Sequence, residues 1–411
     1  MKACVFTLGC KMNEVESASL MRGLEDRGWE TTDELGFADL YLINTCAVTA
    51  EAERKSRQAV ARVRKFNPEA PVVVCGCASQ NAPEAFGTRE GVTLVSGTAH
   101  KDRLLDLLSE RGILRDTEES FCEMPYPKRT RTRAFLRIQD GCNRFCSYCL
   151  IPYLRGRTRS RSAESVLAEA RACGAKEIVL TGIDISSYRD GETDLGGLLL
   201  KLKEIPARIR LGSLEPCAVT DGFLTAVRAA GNVAPHFHLS LQSGSGKVLR
   251  AMNRRYTREE YLEACARVFR YFPDAAITTD IIVGFPGETE EDFQESLSIV
   301  REAGLARVHA FPFSPRAGTA AAKLKDTPAP VKKERMARML KEAARAEAEY
   351  AARFVGKEET ALFEEDGGYT GNYLRVYAKN AREGGMYRVR LLQREKDGLS
   401  AEIITEITEK E

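Results

Sequence analysis

The sequence predicts an α/β protein in three parts: an N-terminal doubly wound parallel sheet, a central partial (β/α)6 barrel, and a small antiparallel β-barrel at the C-terminus. Three observations lead there. Residues 1 to about 115 alternate short apolar strands with helical patterns, as parallel strands joined by crossover helices do. Residues 133 to about 325 repeat that alternation in six longer units, enough to curve into a barrel or part of one. Beyond residue 356 the period becomes two, with Gly367-Gly368 and Gly384-Gly385 at turns, which suits a small antiparallel barrel.

In the first part, strands are expected at Ala3–Thr7, Asp39–Ile43, Pro71–Val74 and Val92–Val95. Helical patterns cover Glu14–Arg27, the stretch up to about Phe66, and a closing segment, Lys101–Glu110. Residues 116–132 read as a linker, carrying Thr117-Glu118-Glu119-Ser120 and Pro125-Tyr126-Pro127. The second part, 133–327, has expected strands at Ala134–Ile138, Glu177–Leu180, Arg208–Leu211, His236–Leu241, Ala276–Val283 and Arg307–Phe311. Its helical patterns are Ala163–Cys173, Leu195–Lys203, Asp221–Ala229, Arg258–Tyr271 and Glu290–Ala303. A bridging helix follows over 328–355, rich in Ala, Lys, Glu and Arg after Pro328 and Pro330. The last strands are expected at Thr360–Glu364, Tyr373–Ala378, Tyr387–Gln393 and Leu399–Ile404.

Composition narrows the classes. No apolar run is long enough for a membrane span. The first 20 residues lack the basic start and apolar block of a signal peptide. Twelve cysteines without an export signal predict a reducing cytosol and metal or catalytic use rather than disulfides. The net charge of +2 excludes a polycation as a whole, so charge must act locally. Lys128 to Arg161 is such a place: Lys128 and nine arginines stand against a single acid, Asp140. A basic stripe there points to an anionic substrate such as nucleic acid. A solvated loop with internal salt bridges is the alternative.

Chemistry concentrates in two cysteine sets. Asp140-Gly-Cys-Asn-Arg-Phe-Cys-Ser-Tyr-Cys holds Cys142, Cys146 and Cys149 in a C-x3-C-x2-C run. Three thiolates on one loop can hold three irons of a cubane cluster and leave the fourth iron open, whereas four cysteines are the usual complement. A zinc site would need a closed set of four ligands, and none of the four histidines lies near this loop. Zinc with a remote fourth ligand stays open as an alternative. The second set follows from topology. Gly9-Cys10, Thr45-Cys46 and Gly76-Cys77 each come directly after a strand. Doubly wound sheets gather ligands at that edge. Three thiolates converging there can bind a second cluster; the alternative is three buried cysteines acting as small hydrophobes. Cys75 rivals Cys77 for the third place, and Cys77 is preferred because it lies where the loop begins.

These residues carry a family resemblance. C-x3-C-x-aromatic-C, with Tyr148 in the aromatic place, resembles the radical S-adenosylmethionine (radical SAM) signature. Leu8-Gly9-Cys10-Lys11-Met12-Asn13, Asn44-Thr45-Cys46 and Gly76-Cys77-Ala78-Ser79-Gln80 resemble the N-terminal domain of the radical SAM methylthiotransferase family, with Ser79 where Ala is common. The resemblance covers essentially the whole chain. It implies two 4Fe-4S clusters. One, on Cys142, Cys146 and Cys149, chelates and reductively cleaves SAM to a 5′-deoxyadenosyl radical. The other, on Cys10, Cys46 and Cys77, supplies sulfur that a second SAM methylates.

The same resemblance implies site residues. Tyr148 packs near the SAM adenine, Thr181-Gly182 takes the place of the amino-group motif, and Asp280 and Gly284 belong to the segment along the adenine. Ser213, Glu215 and Gln242 complete the SAM pocket. Asp184 stands where the family often has His. Arg155 and Arg161 resemble the family's YxRGxxxSR segment. Arg250, Arg254, Arg255 and Tyr256 resemble its substrate-facing basic run, with arginines that clamp phosphate. The C-terminal segment resembles the TRAM RNA-binding module, with Tyr373 and Arg375 suited to base stacking and phosphate; packing within its own barrel is the alternative for the tyrosines. The implied reaction is methylthiolation at C2 of N6-threonylcarbamoyladenosine beside the tRNA anticodon. The runner-up substrates are the isopentenyl analogue and an aspartate of a ribosomal protein; the non-enzymatic alternative is an RNA-binding Fe–S protein. A monomer is expected, served by an external electron donor and sulfur source.

Overall fold

The computed structural model describes residues 1–114, 120–127 and 132–407. Lys128, Arg129 and Arg131 of the basic stripe lie outside the described residues. The N-terminal sheet has six parallel strands in the order Glu30–Thr32, Lys2–Thr7, Leu40–Thr45, Val72–Gly76, Val92–Val95 and Gly112–Ile113. The four inner strands are the expected ones; the two edge strands are too short to show a period. Every residue of Leu40–Thr45 is buried, as a strand covered on both faces requires. One face packs Tyr41, Ile43 and Val74 on Val60 and Val63. The other packs Leu40, Leu42 and Val73 on Leu20 and Leu24.

The helix expected over Lys101–Glu110 does not form. That segment runs through turns, with three-residue hydrogen bonds such as Asp106 N to Arg103 O at 3.0 Å. Lys101 is pulled inward to an ion pair with Glu16, and both are buried. Leu104 and Leu105 still fill the core, so the apolar pattern was met without the helix.

The central domain is an open arc of parallel strands. Arg133–Arg137, Glu177–Thr181 and Arg208–Leu211 form one sheet, and Ser213–Leu214, His236–Leu239, Ala276–Val283 and Arg307–Pro312 the next. The third strand breaks at Gly212 and resumes, joining the two sheets. Side chains alternate across each strand. Leu136, Ile178, Leu180, Ile209, Phe237, Leu239, Ile277 and Ile281 pack outward against the helices. Their neighbours, including Phe135, His238 and Asp280, face the lumen. Helix Lys11–Glu25 of the N-terminal domain lies against Arg133–Arg137, the free edge of the arc. Thr257 and Thr289 start their helices with capping boxes, which pair otherwise orphaned N–H donors.

Five strands close the C-terminal barrel: Glu358–Glu364, Gly367–Thr370, Arg375–Ala378, Met386–Glu395 and Gly398–Glu406. Four of its pairings are antiparallel, and Arg375–Ala378 with Gly398–Glu406 is parallel. The barrel is thus not antiparallel throughout, and Gly367-Gly368 begins a strand rather than only making a turn.

This barrel plugs the amino end of the central strands. Arg208 donates to the carbonyls of Thr360 (3.2 Å) and Tyr369 (3.1 Å), and Arg210 to those of Thr370 (3.0 Å) and Gly371 (3.0 Å). Both arginines, with Arg133, pair with buried Glu177. Tyr373 stacks on His236 with centroids 4.3 Å apart. The expectation that Tyr373 stacks on RNA is corrected: its ring is interdomain packing, crossed as well by Tyr369 and Arg210. Arg375 stands at the rim, paired with Asp397 at 3.2 Å.

Glu177 yields a pH prediction. Burial raises its pKa, but Arg210, Arg208 and Arg133 together outweigh burial and hold it at about 2. A depressed carboxylate adds stability above the unfolded pKa that disappears as pH falls through the folded one. The group should contribute about 3 kcal/mol at neutral pH, lost between roughly pH 4.5 and 2. Glu177→Gln should remove that contribution, so that the two stability curves converge in acid. Denaturant midpoints taken across that window check this, and a constant gap between the curves would reject it.

Candidate cluster and cofactor site

The motif residues of the N-terminal set build the loops that carry the thiols. Gly9 has φ +118°, and a Cβ there would come within 2.7 Å of Cys46 Cβ. Gly76 has φ +105°, and a Cβ would lie 2.5 Å from the Thr45 carbonyl. Only glycine allows the three strand ends to crowd so closely. Asn13 Nδ2 donates to the carbonyls of Leu8 (2.7 Å) and Thr45 (3.0 Å). Thr45 Oγ1 donates to the Cys75 carbonyl at 2.7 Å and accepts from the Ser79 amide. Ser79, the departure from the family pattern, is buried and bonded to the carbonyls of Gly76 and Ser96. Cys10 is the N-cap of helix Lys11–Glu25, and Cys77 opens helix Cys77–Asn81.

Cys46 feels the charges of Cys77 and Cys10, and Cys77 that of Cys10. The three thiols therefore share one neighbourhood. Cys75 also feels the charge of Cys77, but it packs in the opposite core with Ala3, Val5 and Leu20. Burial pushes Cys46 up to about 11 and raises Cys77. Such thiols stay protonated in the free protein, and a bound metal would deprotonate them.

The C-x3-C-x2-C loop is held from several sides. The Cys142 amide donates to the Gly156 carbonyl (3.1 Å), and Asn253 Nδ2 to the Phe145 carbonyl (2.9 Å). Ser147 bonds to the carbonyls of Ala251 and Met252. Cys142 Sγ accepts from the Arg144 amide and Cys149 Sγ from the Ile151 amide, both at 3.4 Å. Cys146 Sγ accepts from Arg254 Nη1 at 3.3 Å. Burial pushes Cys142 to about 11 and Cys149 to about 12. Every donor is sulfur, already lined by N–H groups, which suits an iron–sulfur cluster. Among the described residues no three His, Cys, Asp or Glu side chains converge as a single-ion site. Cluster ligands bind different irons and need not converge in that way.

Gln139 is the residue that sequence reasoning missed here. Fully buried, it donates from Nε2 to the carbonyls of Asp140 and Gly141, each at 2.7 Å, and to Thr158 Oγ1 at 2.9 Å. Its Oε1 accepts from the amides of Ile183 (2.9 Å) and Asp184 (2.7 Å). One side chain thus joins the cysteine loop to the Thr181-Gly182 turn. Asp184 adds a second tie, accepting from Arg144 Nε at 3.1 Å.

Of the expected SAM residues, Tyr148 lies on this loop, Gly182 meets it through Gln139, and Glu215 through Arg254. Thr181 ends its strand, and a Cβ at Gly182 would meet the Gln139 carbonyl at 2.9 Å. Glu215 takes Arg254 Nη2 on both carboxylate oxygens, at 2.7 and 2.8 Å. Ser213 is exposed, and Asp280 faces His238 at 3.3 Å. Gln242 has φ +71°, and its backbone bonds to Asp280 and Ile282. Gly284 has φ +73° and carries Lys332 against it. Tyr148 is edge-on to Phe285 at 6.5 Å, beside Val248, Met252 and Phe313.

The basic residues need correction. Arg155, expected at phosphate, is 1% exposed. It bonds Glu16 at 2.9 Å, Asp140 at 3.1 Å and Asn13 at 3.0 Å, and its charge acts on Cys77. Glu16 also holds Lys101 and Arg137, and Asp140 holds Arg159 at 3.2 Å. The network lies between the two thiol sets and across the domain boundary. A sequence signal for Glu16 existed: it shares the four-residue spacing of buried Met12 and Leu20 on one helix face. Arg161 is buried on Glu169 and Glu123. Arg254, also expected at phosphate, serves Cys146 and Glu215 instead. Arg255 keeps the surface role open. It is exposed and, with Lys247, Arg250 and Arg258, lines a cavity of about 490 Å³.

Comparisons with known proteins agree with this layout. A family model described as the radical SAM superfamily matches residues 136–300, and one described as uncharacterized protein family UPF0004 matches residues 2–97. The chain is 39% identical over 404 residues to the threonylcarbamoyladenosine tRNA methylthiotransferase MtaB of Aquifex aeolicus, covering 94% of this chain and 98% of that one. It is 35% identical to the MtaB of Bacillus subtilis, over 94% and 93% of the two chains. A tRNA-2-methylthio-N(6)-dimethylallyladenosine synthase of Staphylococcus aureus is 34% identical over 98% of this chain and 84% of that one. Among solved structures, the radical SAM methyltransferase TsrM of Kitasatospora setae superposes with a TM-score of 0.59 at 16% identity, over 78% and 77% of the chains. At that identity the likeness speaks to fold alone.

Proposed function

The chain belongs to the tRNA methylthiotransferases of the radical SAM superfamily, and from that premise we propose that it adds a methylthio group to C2 of N6-threonylcarbamoyladenosine in the tRNA anticodon loop. The observation that carries this substrate is the 39% identity, along nearly the whole chain, to a relative named for it. The 34% identity to relatives named for dimethylallyladenosine keeps that base as the second reading. No helix of the described residues is long and apolar enough to cross a membrane.

The family uses a 4Fe-4S cluster and SAM, which together supply one-electron cleavage of SAM and attack on an unreactive C–H bond. We assign that cluster to Cys142, Cys146 and Cys149, and a second, sulfur-supplying one to Cys10, Cys46 and Cys77. This chain's own residues then do the positioning. Gln139, Asp184 and Arg144 fix the loop, and Arg254 donates to Cys146, an interaction of the kind that tunes cluster potential. Thr181, Gly182, Ser213, Glu215, Gln242, Asp280, Gly284 and Tyr148 are proposed around SAM. The lumen, plugged below by the C-terminal barrel and flanked by helix Lys11–Glu25, limits entry of water. Arg250 and Arg255 are the proposed phosphate contacts, with Arg375 at the rim of the terminal barrel; phosphate contacts hold RNA without choosing a base.

Nucleoside mass spectrometry of tRNA tests the reading. A strain lacking the protein should lose 2-methylthio-N6-threonylcarbamoyladenosine and regain it on complementation. Loss of the dimethylallyl product alone would move the protein to the second reading. An unchanged nucleoside profile would remove tRNA as the substrate.

A further inference from the structure

The barrel lumen holds a group of polar side chains that the cofactor assignment leaves largely unused. His236 and His238 share the Thr278 hydroxyl, each at 2.9 Å. The His238 ring stands 6.0 Å from that of His309. Burial lowers the proton affinity of His236 and His309, so neither supplies a lasting positive charge. Below them, Arg133, Arg208 and Arg210 are committed to Glu177. A further cation enters from the side. Lys11 directly follows Cys10, and its Nζ stands 5.7 Å from the centroid of Phe135, a lumen residue. Its charge reaches His236 and His309. Lys11 is exposed, and among the described residues its Nζ makes no hydrogen bond and no ion pair.

We propose that Lys11 is the specificity-determining residue that receives the carboxylate of the substrate's threonylcarbamoyl group. The inference rests on the substrate reading above and gives that reading a physical basis. A threonylcarbamoyl group ends in a carboxylate, ionised at neutral pH, whereas a dimethylallyl group is a hydrocarbon. A carboxylate that leaves water for the lumen needs a counter-charge at its mouth. The same ammonium, solvated in the free protein, would lose its water to a hydrocarbon that covered it, so one residue both selects and rejects. Phe135 offers an apolar wall beside it, and the position next to Cys10 places the side group against the thiol set assigned to sulfur supply.

The test uses the full-length reconstituted protein and anticodon stem-loop RNA carrying threonylcarbamoyladenosine or its methyl ester. Binding is measured without SAM, and turnover with it. Lys11→Gln should weaken binding of the acid about 10- to 100-fold, the range of one charge-assisted contact. The loss should fall on KM rather than kcat, and Lys11→Arg should recover most of it. Wild-type protein should bind the ester as weakly as Lys11→Gln binds the acid, and the variant should not distinguish the two. Iron content per chain reports whether each variant is folded. Equal weakening for acid and ester, with wild type active on the acid, overturns the inference alone. Wild-type activity confined to dimethylallyl RNA overturns the substrate reading and the inference with it.

Discussion

Replacing Cys142, Cys146 and Cys149 together by Ala should abolish SAM cleavage and halve the iron of the anaerobically reconstituted protein, from about eight per chain to about four. The geometry makes this separable from unfolding. Besides the N–H groups that donate to its thiols, the loop is anchored by backbone and by Gln139, Asn253 and Ser147, which the variant keeps. The N-terminal thiols belong to a different sheet with its own cores. Cys77→Ala is the complementary variant: it should lose the methylthio product while 5′-deoxyadenosine still forms. Cys75→Ala should keep both, because Cys75 faces the core of Leu20 and Val73, away from Cys46. Iron analysis and product chromatography read all three. Full iron in the triple variant would sink the cluster assignment, and a dead Cys75→Ala would transfer the third ligand to that residue.

What the sequence made legible was local or periodic. The C-x3-C-x2-C spacing is contained in one loop, so its reading needed no tertiary knowledge. Cys10, Cys46 and Cys77 were reachable because parallel sheets place successive strand ends on one edge, and alternation revealed the strands. The arginines were not legible. A count of charges between 128 and 161 does not say which ones are buried, and Arg155 finds its partner Glu16 139 residues away in another domain. Tyr373 failed for the same reason: an aromatic beside basic residues suits RNA, but here the basic neighbour is Arg210 of the adjoining barrel. At Lys101–Glu110 helical propensity lost to one buried ion pair, Lys101 with Glu16. In each case a long-range electrostatic contact overrode a correct local pattern.

That buried network carries the second large effect expected. Arg155 is fully enclosed and bridges Glu16 of the N-terminal domain to Asp140, two residues before Cys142. Burial alone would lower the pKa of its guanidinium, but Glu16 and Asp140 raise it well above the usual value, so its charge is retained. Arg155→Met leaves two carboxylates short of a partner in a dry site, and breaking a buried pair from one side costs about 3–5 kcal/mol. Lys101 and Arg137 still hold Glu16, and Arg159 still holds Asp140, which places the expected value at the lower end. Arg155→Lys should recover little, because a single ammonium cannot span Glu16, Asp140 and Asn13 as a planar fork does. Arg157→Met is the control. Arg157 is exposed over the Phe145 ring, and a surface change of that kind should stay within about 0.5 kcal/mol. Anaerobic denaturant unfolding compares the three. Adding Glu16→Met to Arg155→Met should cost less than the sum of the two single changes, since each removes a charge the other has stranded. Strict additivity, or an Arg155→Met variant as stable as Arg157→Met, would mean that the network neither joins the domains nor sets the spacing of the two thiol sets.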